Sequence, residues 1–331
     1  MPQPFRFVVV GSGNMAGTYA EAVGKFDDVE IVGVVSRAGN RPAELDETTP
    51  VVPSLAAVET AYDAVILTTP NGLHHEGAVA AAALGKHVLT EKVLDVSTAN
   101  MDRMTAACEQ AGVKLGVAFQ RRMSPDNRAV KDLLDAGACG RIYAADLEVM
   151  FYRDQAYYDS AAYRGTRDLD GGGPFMQQAA HNIDIYTWFF GMPTRVASML
   201  DTFCHEIEGE DHGVAILRHA DGMIGSITAS TAAAPGHPAK LAVYTEKGSL
   251  TLTNDCVSDW NVDGVDNPSD DAAFAVHSGA SSAAVSDTAG HEAILADFVA
   301  AVREDREPAV PASSARLATE LILQIYAGTV G

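Results

Sequence analysis

A chain of 331 residues with 47% hydrophobic and 20% charged content is long enough for two domains that each bury a core, and no stretch approaches the ~20 apolar residues of a membrane span. A formal charge of −21, from 44 acidic against 23 basic residues of which seven are lysines, argues against nucleic acid as a partner, because phosphate contacts need clustered cations. Four scattered cysteines, Cys108, Cys139, Cys204 and Cys256, form no Cys-x-x-Cys pair and have no histidine at ligand spacing, so no metal site and no disulfide framework is expected.

The amino terminus runs straight into a strand without the charged-then-apolar design of a secretory leader, which favours the cytoplasm. The Asp-rich, Lys-poor composition fits either adaptation to high salt or an ordinary acidic protein. Residues 5–10 form a β-branched run ending at Gly11, and small and apolar residues recur at helical spacing over 15–25, which reads as strand, turn, helix. A second run, 30–35, ends at Ser36-Arg37, and a buried strand over 61–67 precedes Thr68-Thr69-Pro70-Asn71. Helix 73–84, strand 87–90, helix 100–111 and strand 114–118 follow. This alternation predicts an α/β fold whose N-terminal domain, 1–121, is a dinucleotide-binding Rossmann unit with a doubly wound parallel sheet.

The rhythm then changes. A helix over 126–136 leads into 141–152, whose alternation of apolar and polar residues suits a half-exposed antiparallel strand. A loop at Gly171-Gly172-Gly173, a helix over 176–190 and several strands between 195 and 252 come next, separated by turn dipeptides such as Asp221-Gly222 and Lys247-Gly248. A long loop over 263–288 and helices over 291–303 and 313–326 close the chain. Residues 122–331 are thus expected to form a substrate-binding and oligomerisation α+β domain with an open, mostly antiparallel sheet, its last helix free to pack back on the Rossmann domain.

Gly11-Ser12-Gly13-Asn14-Met15-Ala16 matches G-x-G-x-x-G/A where that motif has a mechanism, between a strand and the helix of a βαβ unit. Gly11 permits the tight turn, Gly13 lets backbone approach a pyrophosphate, and Ala16 permits close packing while the helix N-terminus attracts the anion. The end of the second strand, where NAD binders place an acid for the ribose 2′-hydroxyl, carries Ser36 and Arg37, with Arg41 beyond. A hydroxyl and a guanidinium suit a 2′-phosphate, so NADP(H) is the expected cofactor and NAD(H) the alternative. Glu91-Lys92 ends another strand, at the sheet edge where open α/β folds bind ligands. In the second domain Gln177, His181 and Asp184 fall near one helix face, where His181 can act as a base with Asp184 holding its tautomer, or can simply pack the glycine-rich loop.

Together with Thr69-Pro70-Asn71 and His74, these motifs resemble the Gfo/Idh/MocA oxidoreductase family over essentially the whole chain. The resemblance implies a two-domain NAD(P)-dependent enzyme that oxidises or reduces a secondary alcohol or ketone of a sugar, cyclitol or nucleotide sugar, and that forms a homodimer or homotetramer. It implies that Lys92 is the lysine of a Glu-Lys-Pro motif, here with Val93 in place of proline, and that His181 is the partner general acid or base. It extends the cofactor site to Thr69, Pro70, Asn71, His74 and Glu91. Gln177 stands where inositol-dehydrogenase-like members have aspartate, and the run from Gly171 through Gln178, His181 and Asp184 is similar to a nucleotide-sugar dehydrogenase subgroup, as are Tyr157-Tyr158, Arg164-Gly165-Thr166 and Glu210-Asp211.

The expected reaction is hydride transfer in which His181 removes the hydroxyl proton, Lys92 stabilises the alkoxide, and Tyr158, Arg164, Gln178 and Asp184 contact substrate. Two rivals remain at this stage. One is a cofactor-dependent glycosidase that uses transient oxidation for elimination; the other is a dinucleotide-binding regulator without chemistry, against which the presence of both Lys92 and His181 argues.

Overall fold

The computed structural model describes residues 3–269, 279–282 and 287–328. Two compact units emerge, one of residues 1–120 and 287–316, the other of 121–286 and 317–331. The first begins with β1 (Phe5–Val10), α1 (Asn14–Val23), β2 (Val29–Val35) and the two-residue β3 (Val51–Val52). It continues through β4 (Ala64–Leu67), α2 (His74–Ala83), β5 (His87–Thr90), α3 (Thr98–Ala111) and β6 (Leu115–Val117). All six strands are parallel in the order β3-β2-β1-β4-β5-β6. Phe7, Val8, Val9, Val65 and Ile66 are fully buried, the continuous apolar character that a sheet covered on both faces imposes. The connection order reverses between β1 and β4, the switch point where such sheets bind ligands.

The second unit holds α4 (Pro125–Asp135), β7 (Ile142–Met150), the short α5 (Gln155–Asp159) and α6 (Ala180–Phe190). Six strands follow: β8 (Arg195–Asp201), β9 (His212–Arg218), β10 (Ile224–Ser230), β11 (Lys240–Thr245), β12 (Gly248–Thr253) and β13 (Cys256–Val262). They form a seven-stranded sheet in the order β13-β12-β11-β7-β10-β9-β8. The antiparallel expectation for β7 holds on one side only, since it pairs antiparallel with β11 and parallel with β10. A hairpin cannot join parallel neighbours: after β7 the chain crosses over through α5 and α6 to the edge strand β8 and returns antiparallel through β9 to β10. α6 starts at Ala180 rather than 176 because the preceding residues are held in tight turns, with Gln177 N–H bonded to Gly173 O at 3.0 Å.

α7 (Ala289–Arg303) returns to the first unit, so a single boundary after residue 121 captures only the first crossing of the chain. Phe298 of α7 packs near Phe7, with ring centroids 6.2 Å apart, and Gly116 of β6 leaves room for it: a Cβ there would lie 2.9 Å from the Phe298 ring. Val310 O accepts the N–H of Val117 at 3.0 Å, which covers the edge strand β6. The unit division then falls within α8 (Ala312–Ala327). Most of the expected 263–288 loop, residues 270–278 and 283–286, lies outside the described residues.

Candidate active site

In the parallel sheet Val10 is the register partner of Val35 and Leu67, and Leu67 of Thr90. Gly11, Ser36, Thr69 and Glu91-Lys92 therefore follow directly from neighbouring strands along one sheet edge. Gly11 adopts φ +115°, and a Cβ on it would lie 2.5 Å from Thr68 Oγ1, so only glycine makes this turn without strain. Gly13 caps α1 without a side-chain hydrogen bond, no acid occupies the first turn, and no atom lies within 4 Å of where its Cβ would be. The N-terminus of α1 thus opens beside Gly13, with exposed Asn14, half-buried Met15 and buried Ala16 following, the Ala16 N–H already bonded to Gly13 O at 3.0 Å. This is the arrangement a dinucleotide pyrophosphate requires.

Ser36 is buried, its Oγ 3.1 Å from Ser12 Oγ and accepting the Asn40 N–H at 3.2 Å. Arg37 is exposed and ion-paired with Glu76 at 2.9 Å, while the exposed Arg41 donates to Thr49 O at 3.0 Å. Thr69 Oγ1 is buried and has no hydrogen-bond partner among the described residues, Pro70 is half-buried and Asn71 is buried. His74, expected at the cofactor, is fully buried; its Nδ1 lies 2.8 Å from Val93 O and its Nε2 3.0 Å from Thr69 O. It ties two loops of the sheet edge together from beneath and presents no surface to a ligand.

Glu91 is buried and accepts the Tyr19 hydroxyl at 2.8 Å on Oε1 and the Lys92 N–H at 3.2 Å on Oε2. His291 Nε2 lies 3.8 Å from the same carboxylate, and the Tyr19 ring stands edge-on to His291 at 5.3 Å. Burial, reinforced by Glu91, pushes the Tyr19 phenol well above its ordinary range, so it stays a donor, and burial pushes His291 down toward its neutral form. Lys92 is half-buried and the Lys92–Val93 peptide is cis. Neither Tyr19 nor His291 belongs to a motif, and nothing in the linear pattern announces them.

In the second unit His181 occupies the first turn of α6 and is half-buried. Asp184 does not orient it. Its two carboxylate oxygens accept from Arg122 Nε and Nη2 at 2.7 and 2.6 Å, and its side chain is fully buried. Burial pushes the Asp184 carboxyl up to about 6 against the pull of Arg122. Gln177 donates to Asp170 O at 2.6 Å, and the buried Gln178 donates to Tyr157 Oη at 3.2 Å. The Gly171-Gly172-Gly173 loop is pinned by buried Glu210, which accepts the N–H groups of Gly173 and Phe175 and the Tyr326 hydroxyl, each at 3.2 Å. A Cβ on Gly173 would fall 1.7 Å from Glu210 O.

Tyr158, expected to contact substrate, is buried with its hydroxyl 2.8 Å from Thr231 Oγ1 and its ring edge-on to Tyr157 and His205. That hydroxyl is engaged within the fold, while the neighbouring Tyr157 lies beside Gln178 and Arg164. The Arg164 guanidinium lies 4.3 Å from the Tyr157 ring centroid. It lines a cavity of about 510 Å³ with Tyr158, Asp159, Thr166, Glu206 and Glu208. Among the described residues no group of three or more His, Cys, Asp or Glu is placed to hold a metal, and no helix is long and apolar enough to cross a membrane.

Residues 5–119 match the model of an oxidoreductase family with an NAD-binding Rossmann fold, and 127–251 that of the GFO/IDH/MocA C-terminal domain. The chain is 27% identical to the rhizopine catabolism protein MocA of Rhizobium meliloti over 74% of this chain and 77% of that one. It is 25% identical to the myo-inositol 2-dehydrogenase of Thermotoga maritima over 75% of each. In structure it resembles the WlbA dehydrogenase of Bordetella pertussis, solved with NADH and UDP-GlcNAcA, with a TM-score of 0.84, 29% identity and coverage of 98% of this chain and 96% of that one. With both of its domains matched in sequence, the chain belongs to the Gfo/Idh/MocA family of nicotinamide-dependent oxidoreductases.

Proposed function

We propose that the chain is a cytoplasmic dehydrogenase or reductase for a secondary alcohol or ketone of a sugar, cyclitol or sugar derivative. The observation that carries this is the single sheet edge holding the open α1 N-terminus, Thr69 and Lys92 together. The α1 N-terminus with Gly11 through Ala16 takes the pyrophosphate, and the orphaned Thr69 Oγ1 is a polar atom that a bound dinucleotide would satisfy. A bound nicotinamide supplies the hydride donor or acceptor. Lys92 stabilises the alkoxide that develops on the substrate, and His181 takes or returns the hydroxyl proton. Arg164 and Gln178 bind the substrate away from the reacting carbon, and Asp184 serves by anchoring α6 through Arg122.

The hydroxyl pair Ser12 and Ser36, in place of a carboxylate at the end of β2, supports NADP(H). Arg37 joins it once its guanidinium leaves Glu76. Relatives of both kinds exist, since Bacillus subtilis has NADP- and NAD-dependent scyllo-inositol 2-dehydrogenases 30% and 27% identical to this chain over the matched parts. A homodimer or homotetramer is supported by the outer face of β8, β9 and β10, where Met199, Ile216 and Ile224 are 67%, 58% and 45% exposed. The test is cofactor reduction over aldoses, inositols, uronates and nucleotide sugars with NAD and NADP in parallel. Lys92→Ala and His181→Ala are each expected to lower kcat by about 10²–10⁴ on the confirmed substrate. Wild-type turnover by either variant removes that residue from the mechanism, and a clear preference for NAD reverses the cofactor assignment.

A further inference from the structure

Arg164 is half-buried, yet it has no ion pair and its buried Nε finds no acceptor among the described residues; its company is the rings of Tyr157 and Tyr163, at 4.3 and 5.6 Å. A second guanidinium, Arg153, lies over the same Tyr157 ring at 5.5 Å and is only 7% exposed. Its Nη groups donate to carbonyl oxygens, including Tyr152 O at 2.6 Å and Gly279 O at 2.7 Å, which satisfy hydrogen bonds without cancelling charge, while its buried Nε has no acceptor among the described residues. Two guanidiniums thus flank one phenol, and neither has a carboxylate partner among the described residues. Cations withdrawn from water are costly unless paired, and in a chain with 44 acids to 23 bases a missing partner does not reflect a shortage of carboxylates.

Gln178 supplies the complementary irregularity. It is 9% exposed, one end of its amide holds Tyr157 Oη at 3.2 Å, and its buried Oε1 accepts from nothing in the described chain. The acids at the cavity, Asp159, Glu206 and Glu208, are exposed on its rim, and two already accept hydrogen bonds, Asp159 from Gln155 and Glu208 from the Arg167 N–H, both at 2.9 Å. A cation and an acceptor, each unpartnered among the described residues and both meeting on Tyr157, point to a ligand with an anionic oxygen next to an O–H or N–H donor.

We propose that the substrate carries a carboxylate or phosphate that docks on Arg164 against Tyr157, with an adjacent hydroxyl or amide N–H donated to Gln178. This rests on the dehydrogenase reading above and narrows its substrate to an acidic sugar derivative. The purified full chain is assayed on matched pairs of a neutral and an anionic compound: glucose against glucuronate, glucose against glucose 6-phosphate, and N-acetylglucosamine against N-acetylglucosamine 6-phosphate. Nicotinamide absorbance reports turnover, and calorimetry in the presence of cofactor reports binding of the same compounds.

The expected result is that one anionic member exceeds its neutral counterpart in kcat/KM by about 10²-fold, mostly through KM, as a hydrogen-bonded charge pair allows. Added NaCl should raise the KM of the anionic member alone. Arg164→Met should bring the ratio to near one and Arg164→Lys should keep part of it, with unchanged melting temperatures showing both variants folded. The three arms separate carboxylate from phosphate as the anion recognised. Equal kcat/KM within every pair, or a ratio that survives Arg164→Met, overturns the proposal and leaves the dehydrogenase reading standing. Arg164-dependent anion binding without turnover of any compound supports the site and overturns the dehydrogenase reading. Failure of every anionic compound to bind overturns the proposal whatever the neutral compounds do.

Discussion

Both carboxylate oxygens of Asp184 are bound to Arg122, a residue 62 positions earlier, in the helix whose first turn carries His181. A buried pair of this kind adds modest net stability when intact but is costly when halved, because the survivor is left charged and unsolvated. Asp184→Asn or Arg122→Met alone is therefore expected to destabilise the second unit by about 3–5 kcal/mol, and the Arg122→Met, Asp184→Leu double variant to recover most of the loss. Urea unfolding checks this, through a lower midpoint at constant slope in the single variants; single variants as stable as the parent would remove the pair from the account. The spacing of His181 and Asp184 was legible in the sequence, but the identity of the partner was not, since a helix period says which residues share a face and nothing about what that face meets. Gly11, Gly13 and Lys92 were legible for the opposite reason: their placement depends on a local turn or strand end that the flanking apolar runs define. Tyr19 and His291 were not, since Glu91 gathers them from two separate helices.

At the scale of elements, the β1–α1 turn separates two uses of glycine. Gly13→Ala meets no atom within 4 Å and is expected to cost at most about 1 kcal/mol in stability, while its methyl occupies the space where a pyrophosphate approaches and lowers dinucleotide affinity at least tenfold. Gly11→Ala places a methyl 2.5 Å from Thr68 Oγ1 at φ +115° and is expected to lower stability by about 1–3 kcal/mol. Thermal unfolding alongside fluorescence titration with NADP(H) distinguishes them, and a Gly13→Ala protein that binds as well as the parent would take that position out of the cofactor site. Period-2 and period-3.6 patterns located nearly every long element. They failed for β3, two residues long, and for α5, five residues long, which are too short to display a period, and they passed over β13, because the expected strands ended at 252. They also could not reveal that β7 pairs parallel with β10, because pairing direction is set by the crossover between strands and not by the strands themselves.

Over the whole molecule, protonation is set largely by burial. His74, His87, His219 and His291 are all pushed below the ordinary histidine value by burial. Below about pH 6.5 the unfolded chain therefore binds more protons than the native one, so the contribution of these groups is complete above that pH and is lost as pH falls below it. Asp211 acts in a lower window. Burial alone would raise it, but N–H donors from Phe203 and Cys204 and the neighbouring His205 outweigh this and hold it down, so its contribution is present above about pH 4 and is lost on further acidification. The histidines are expected to lower the melting temperature as pH falls from 7, with Asp184, raised to about 6, offsetting part of that fall below pH 6, and a steeper loss follows below 4; a profile flat from 7 to 6 would contradict the histidine assignment. The return of α7 to the first unit also governs the order in which the chain is made. During synthesis β1 to β6 leave the ribosome long before Phe298, so the face around Phe7 and Gly116 waits uncovered while the second unit is translated. The unit that begins first is thus completed almost last, and its unfinished face is where a nascent chain of this protein most needs a chaperone.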